Sequence, residues 1–545
     1  MRPTGSIMVG DACSGGRRSL ELRSVGDGMP VARACCTQVS VTSYPQWSNI
    51  ENKNGKRRGT LKSKDFVVAL WGLDRDEDFV QSGVQGNASF DSVRGVELDI
   101  PMGCLLDREL VKGVNFIGTD PITAPAAYGF CQNGDKITLI NISTSGPGFS
   151  APGTYKEKLQ ADSALVSKTS FISLNPIIKS MTIHFSGLWN WLDKCFGKVT
   201  TTLEKRQIGP TWSGTSGTWQ KADIEEIPLY INESISMHLQ PEFTCSGSHP
   251  SLQEFSMRSD IRLRIEFFNP ELPLNDAMES WVFPIWNFFS FCMGFICSID
   301  EILVTTTDGQ CASYYLPLIG GVENPSNVQV RHMPLTYKYM TQSGIDLVAE
   351  WFNIDDGAKR AATVLIGMLD TRNIRSLGLM FTAMVGAFEA ISRVGEKTND
   401  ISKTEFKKMQ EKVKESFANE NLRDWILQKM NNNPPASYYA NALLDKLGVF
   451  AEYVIPDRAR FLKDLRNTRN AYIHQTSALE KTSTLSDVEL FTHAMAIKVL
   501  CYGAIMMQLG ITPESILERF EDSQYCFTEI YRSRSMYPLD QADKG

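Results

Sequence analysis

Residues 466–474 read RNTRNAYIH and place two arginines, two asparagines and a histidine within nine positions. His474 can take or give a proton near neutral pH. Arg469 or Arg466 can hold a phosphate by paired hydrogen bonds, and the Asn470 amide can donate to an oxygen. Together they could cut a phosphodiester without a metal.

These groups need an element to aim them, and the spacing of the apolar residues predicts a helix over 457–474. At about 100° per residue, Phe461, Leu465, Thr468 and Tyr472 fall on one side, with Lys463, Arg466, Asn470 and His474 on the other. Five basic residues (458, 460, 463, 466, 469) against two acidic ones (457, 464) give this stretch +3. Lys463 and Arg466 are therefore candidates for holding an anionic substrate. Arg469 does not fit the stripe: five residues from His474 leaves the two about 140° apart, whereas Arg466 lies only about 80° away. Either the helix loosens near Ala471, or the arginine of one subunit works with the histidine of another. Glu389, on an otherwise apolar helix, could orient an arginine through a charged hydrogen bond. The structural alternative is a solvated basic stripe. Asn470 makes the motif much rarer than an Arg and a His at that spacing alone.

The chain as a whole lacks this charge. Across 545 residues the net charge is −7, so composition gives no general affinity for nucleic acid or anionic membrane. Twelve cysteines form no CxxC knuckle, and six histidines stand singly at 184, 238, 249, 332, 474 and 493. Neither a metal site nor a cofactor is expected, and reduced thiols suit a cytoplasmic protein.

The length suggests two to four domains. Residues 1–36, rich in Gly, Ser and Arg, read as a disordered leader, with Met29 an alternative start. Residues 37–310 read as β: DFVVALWGL, GVELDI, KITLINIS, SMTIHFSGLWNWL, IRLRIEFF and EILVTTT alternate apolar with polar residues. The Gly/Ser/Thr/Trp run at 209–219 is expected to break strands. A two-sheet sandwich or a barrel-like domain is predicted. Trp189, Trp191, Trp212 and Trp219 are expected in its core rather than on a ligand platform. Residues 280–299 carry no formal charge but hold Pro284 and Asn287, lack a basic flank and run into strand text; a buried helix or strand is preferred to a membrane span. Residues 311–342 read as a linker, 343–525 as a series of helices and 526–545 as a tail. Ser486, Asp487 and Glu489 mark the start of a long helix that is apolar on more than one side, so it is either central to a bundle or meets a second copy.

RNAYIH, in the penultimate helix of a helical domain and followed by that long apolar helix, resembles the HEPN ribonuclease signature. The β text in its order resembles the N-terminal domain that accompanies HEPN in the ApeA family of bacterial anti-phage proteins. The resemblance implies an α+β multidomain chain, a sandwich-like β domain followed by an all-α HEPN bundle. It further implies a metal-independent endoribonuclease, usually a homodimer with a composite cleft. In it His474 acts as general base or acid, Arg469 stabilises the phosphorane and Asn470 positions the phosphate or the histidine. Products are a 2′,3′-cyclic phosphate and a 5′-hydroxyl, with transfer RNA the favoured target. The β domain senses infection, for instance a phage protein, or restrains the nuclease. The rival reading is a non-catalytic RNA- or protein-binding sensor whose HEPN domain is a dimerisation scaffold.

Overall fold

The computed structural model describes residues 64–76, 78–91, 95–106, 121–150, 154–192, 201–207, 213–219, 226–246, 256–268, 272–317, 329–369, 376–474 and 485–539. The expected leader, the part of the expected β region before Lys64 and the side chains of Trp212 and Trp219 lie outside the described residues.

Six strands open the described chain: β1 (Lys64–Gly72), then after a helical turn α1 (Phe79–Ser82) β2 (Val84–Asp91), β3 (Gly95–Ile100), β4 (Thr123–Cys131), β5 (Lys136–Ser150) and β6 (Thr154–Ser167). They pair antiparallel in the order β6-β3-β2-β1-β4-β5, and β5 pairs with β6 again, which closes a barrel. The alternation in GVELDI shows why: Val96, Leu98 and Ile100 are buried, whereas Glu97 and Asp99 face outward. Trp71 fills the interior and donates its indole N–H to the Gly86 carbonyl at 3.2 Å. Gly129 lies against that ring, where a Cβ would sit 2.7 Å from it, so only glycine fits.

The chain continues through β7 (Ile178–Phe185), a short helix α2 (Leu188–Leu192), and a hairpin of β8 (Thr201–Gln207) and β9 (Ser213–Trp219). The hairpin belongs to a separate compact unit, with Thr201 opposite Trp219 and Gln207 opposite Ser213. Its second arm corrects the expectation that 209–219 breaks strands: backbone pairing with 201–207 outweighs the Gly and Ser content. Then follow β10 (Ile227–Ile231), β11 (Ile235–Ser246), β12 (Ser256–Phe267), α3 (Leu274–Ala277), a π turn (Met278–Val282), α4 (Phe283–Met293), β13 (Ile299–Thr306) and β14 (Cys311–Tyr315). Strand β6 is shared: residues 157–161 pair with β3 inside the barrel, and 164–167 pair with β14. From there an open sheet runs β14-β13-β7-β12-β11-β10. The strand pattern allowed a sandwich or a barrel; the chain builds a barrel and continues it as a sheet. The segment expected as linker at 311–342 thus contributes β14.

One face of the open sheet is apolar, with Met181, Ile183, Leu263, Ile265, Met237 and Val304 buried. Its partner is the charge-free stretch 280–299, which forms the end of the π turn and helix α4 and lies buried in the protein. Phe289 packs on Phe185 and Trp191 with ring centroids 5.4 and 5.2 Å apart. Trp191 is a core residue, as expected, and Trp189 is half-buried.

The helical half comprises α5 (Tyr337–Ser343), α6 (Leu347–Asn353), α7 (Asp356–Gly367), α8 (Leu377–Ser392), α9 (Lys403–Ser416), α10 (Glu420–Lys429), α11 (Ala436–Val454), α12 (Arg458–His474), α13 (Asp487–Gln508), α14 (Pro513–Asp522) and α15 (Phe527–Met536). Helix α13 starts at the capping box of Ser486 and Glu489. It is the central helix, touching α7, α8, α11, α14 and α15. Among the described residues it alone has the length and composition to cross a membrane, and it is mostly buried within the bundle. The segment read as a tail is instead α15 plus Tyr537, which is fully buried.

The face of the open sheet opposite α4 carries charge. His184 is held between two carboxylates, its Nε2 2.7 Å from Asp260 Oδ1 and its Nδ1 3.2 Å from Asp300 Oδ2. Burial alone would lower the imidazole pKa, but the hydrogen bonds to Asp260 and Asp300 override it and raise the value from 6.5 to about 9. Between those values the folded chain holds a proton that the unfolded chain releases. The stabilisation is therefore complete below about pH 6.5 and is lost as pH rises through about 9. The thermal midpoint is expected to fall between pH 7 and 10 by more in the wild type than in His184→Asn; parallel curves would refute the ion triad as a stabiliser.

Candidate active site

Helix α12 is laid down by its apolar edge. Phe461, Leu465 and Thr468 are buried as the spacing predicts. Phe461 meets Phe388 of α8, His493 of α13 and Tyr537, with centroids 6.4, 4.8 and 5.6 Å away. Tyr472 completes the edge while remaining 37 % exposed: its ring lies 5.7 Å from Phe381 and covers Gly378, where any Cβ would collide with it. The opposite edge presents Lys463 and Arg466 to solvent, with Asn470 half-buried beside them.

Arg469 sits between the edges. Its Nε lies 2.6 Å from Glu389 Oε1 of α8, and its Nη1 approaches Asn470 Oδ1 at 3.5 Å. The Nε–H is not aligned on the carboxylate, so the contact is an ion pair rather than a directed hydrogen bond. Both side chains are roughly one-third exposed (31 and 27 %), so the pair is partly open to solvent. Glu389, singled out as the carboxylate on an apolar helix, thus meets Arg469 and not Arg466. With its Nε engaged, this guanidinium is pre-oriented for an anion.

The backbone of α12 stays α-helical through His474. The loosening considered near Ala471 is not seen there, and positions 469 and 474 of a regular helix stand about 140° apart. The His474 side chain and residues 475–484 lie outside the described residues.

A second layer fixes α12 from behind, and the sequence did not suggest it. His493 is fully buried, and its Nδ1 lies 2.6 Å from the Tyr537 hydroxyl. Desolvation lowers the His493 pKa from 6.5 to about 3, so the ring is neutral. The Tyr537 hydroxyl also bonds Asp464 of α12, and burial raises the pKa of both Tyr537 and Asp464. The Asp457 N–H donates to the Tyr537 carbonyl at 3.0 Å, Ser533 Oγ to the Val454 carbonyl at 2.8 Å, and Arg534 to the Tyr453 carbonyl at 2.8 Å. The end of the chain thereby clamps the turn from α11 into α12. His493 stood among the scattered histidines and Tyr537 in the supposed tail; no local pattern links them, because the contact spans 44 residues.

With the geometry in place, the family is decided by direct matches. Residues 68–340 match the family model described as ApeA N-terminal domain 1, and residues 382–515 match Apea-like HEPN. The chain belongs to the ApeA family. At family level this makes it a HEPN-type nuclease of anti-phage defence, and the HEPN match contains Glu389 and all of α12. No curated protein and no solved structure matches the chain.

Tyr537→Phe removes the hydroxyl shared by the buried His493 and the half-buried Asp464 and leaves each one partner short. The expected loss is about 1–3 kcal/mol of stability, read from the midpoint of chemical unfolding. An unchanged midpoint would show that the hydroxyl does not hold α12.

Proposed function

We propose that this protein is a metal-independent endoribonuclease whose cleft is built from two copies of α12. The reading rests on one observation: a guanidinium held by Glu389 lies beside Asn470 on the helix that ends at His474. RNA brings its own nucleophile, so the protein needs only to move a proton, align the 2′-oxygen with the leaving oxygen and stabilise charge at phosphorus. A His474 imidazole takes the 2′-hydroxyl proton as the P–O2′ bond forms. The P–O5′ bond breaks, and the partner subunit's His474, starting as the imidazolium, gives its proton to O5′ and ends neutral. Arg469 neutralises the pentacoordinate phosphorus, and Asn470 fixes a non-bridging oxygen. Lys463 and Arg466, exposed on the same helix, hold flanking phosphates. Products are a 2′,3′-cyclic phosphate and a 5′-hydroxyl, and DNA is inert because it lacks the 2′-hydroxyl. Transfer RNA in the cytoplasm is the substrate we favour.

The β half is proposed to sense a phage product or to restrain the nuclease. Support for coupling comes from α4, which is packed on the sheet by Phe289 and on the bundle by Phe291, stacked at 4.8 Å on Tyr502 of α13. The connecting segment is bonded on both sides. Trp191 donates to the Leu335 carbonyl at 3.0 Å, while Arg519 of α14 donates to the carbonyls of Pro334 and Met333 at 2.7 and 2.8 Å.

Purified protein is expected to cleave RNA in EDTA. His474→Ala should lose about 10²–10⁴-fold in rate and Arg469→Ala about 10²–10³-fold, with Glu389→Gln falling less than Arg469→Ala and Arg466→Ala raising KM more than it lowers kcat. Undiminished cleavage by His474→Ala would sink the mechanism, and RNA binding without cleavage by the wild type would favour the scaffold reading. If only Arg466→Ala is dead, the catalytic arginine lies one turn earlier.

A further inference from the structure

Helices α9 and α10 differ from every other long helix of the bundle: neither buries a single residue. They form an arm between α8 and α11. Its root is fixed by a buried amide, since Asn432 accepts from the Ile401 N–H at 3.1 Å and donates to the Ile401 carbonyl at 2.8 Å, while its own carbonyl accepts from the Asp400 N–H at 2.8 Å. The arm therefore has a set direction without packing against the bundle. Along it, Trp425 is 57 % exposed, Met409 49 % and Leu422 44 %.

Its charge is patterned. Helix α9 carries five lysines, 403, 407, 408, 412 and 414, and none of their ammonium groups has an ion-pair partner among the described residues. Taking Lys403 as zero, Lys407 and Lys414 fall at about 40° and 20°, one stripe roughly 16 Å long. One acid, Glu411, borders the stripe at about 40° from Lys407 and 60° from Lys414; the others are spent or lie farther round. Glu405 is spent on the Ser402 cap, Glu420 and Asp424 lie within 3.7 and 3.5 Å of Arg423, and Glu411 and Glu415 fall about 80° and 120° from Lys403.

We propose that this arm is a docking surface for the RNA substrate, with phosphates on Lys403, Lys407 and Lys414 and an unpaired base stacked on Trp425. The inference rests on the ribonuclease reading above and adds where the RNA is held away from the cut. On a chain of net charge −7 a polyanion is drawn only to a local basic surface, and unpartnered lysines on α9 with an exposed indole on the adjoining α10 are the two kinds of contact that single-stranded RNA uses. A second copy of the chain fits less well, because a two-fold contact through this stripe would set lysine against lysine. In chain order the arm follows α8, whose last turn carries Glu389.

The test compares full-length wild type with the triple change Lys403→Gln, Lys407→Gln, Lys414→Gln, using labelled transfer RNA and a diribonucleotide too short to reach the arm. The triple variant is expected to bind transfer RNA about tenfold more weakly at 0.15 M salt, with its log–log salt slope reduced by about two. KM should rise with kcat unchanged, cleavage of the diribonucleotide should not alter, and three arginines at the same positions should restore binding. An unchanged affinity and salt slope would overturn the proposal. So would unchanged RNA binding accompanied by a change in solution mass, which would make the arm a contact between copies. A wild type that binds but does not cleave, with the triple variant losing that binding, would keep the arm and remove the ribonuclease reading.

Discussion

A helix that is apolar on every side cannot remain at a surface, and α13 imposes that constraint on the whole C-terminal half. From Leu490 to Met506 its residues are buried around nearly the full circumference, so α7, α8, α11, α14 and α15 must surround it. Helix α12 then has one apolar edge to spend, centred on Phe461, and must turn its basic edge outward. The ion pair of Arg469 with Glu389 follows from this packing. Phe388 holds Phe461, and Glu389, one residue on, is carried to the groove where Arg469 lies. The electrostatic feature of the site is thus a by-product of where two phenylalanines meet.

The same helix joins the halves of the molecule. Tyr502 stacks on Phe291 of α4, and Tyr525 packs edge-on to Tyr502 at 5.0 Å and over Gly294, the left-handed residue that ends α4. Any side chain at Gly294 would strike that ring. Hydrogen bonds to the connecting segment from Trp191 and Arg519 remove the freedom that a linker would have. A displacement of α4 on its sheet therefore has a packed route to α13, and from α13 to α12 through His493.

Much of this was legible in the sequence because short-range periodicity carries it. The strands at GVELDI and IRLRIEFF, the start of α13 at Ser486 and the two edges of α12 depend on residues two to four positions apart, and each is where the pattern puts it. The charge-free stretch 280–299 was readable as buried because Pro284 and its flanks argued against a membrane. What could not be read is long-range. Barrel closure depends on β5 and β6 pairing along their length while β6 changes partner midway, and nothing in TYKEKLQADSALVS announces that change. The Tyr537 clamp on α12 joins positions 44 and 73 residues apart, and the Gly/Ser-rich strand β9 exists only through its partner β8.

The disposition of Arg469 and His474 bears on how many chains a cleft needs. An unbroken helix spreads the two side chains by about 140°, and Glu389 fixes the arginine on the groove side. In the proposed reaction a phosphate resting on Arg469 would then lie about 140° around α12 from position 474 of the same helix. Rotating the arginine toward His474 would break a 2.6 Å ion pair at a half-buried site, which costs more than the exposed pairs elsewhere on the surface. The dimer proposed above would avoid that cost, since each arginine could keep its glutamate while the other chain supplied the histidine. The same reading would leave Arg466, exposed on the open edge of α12, to bind rather than to cut.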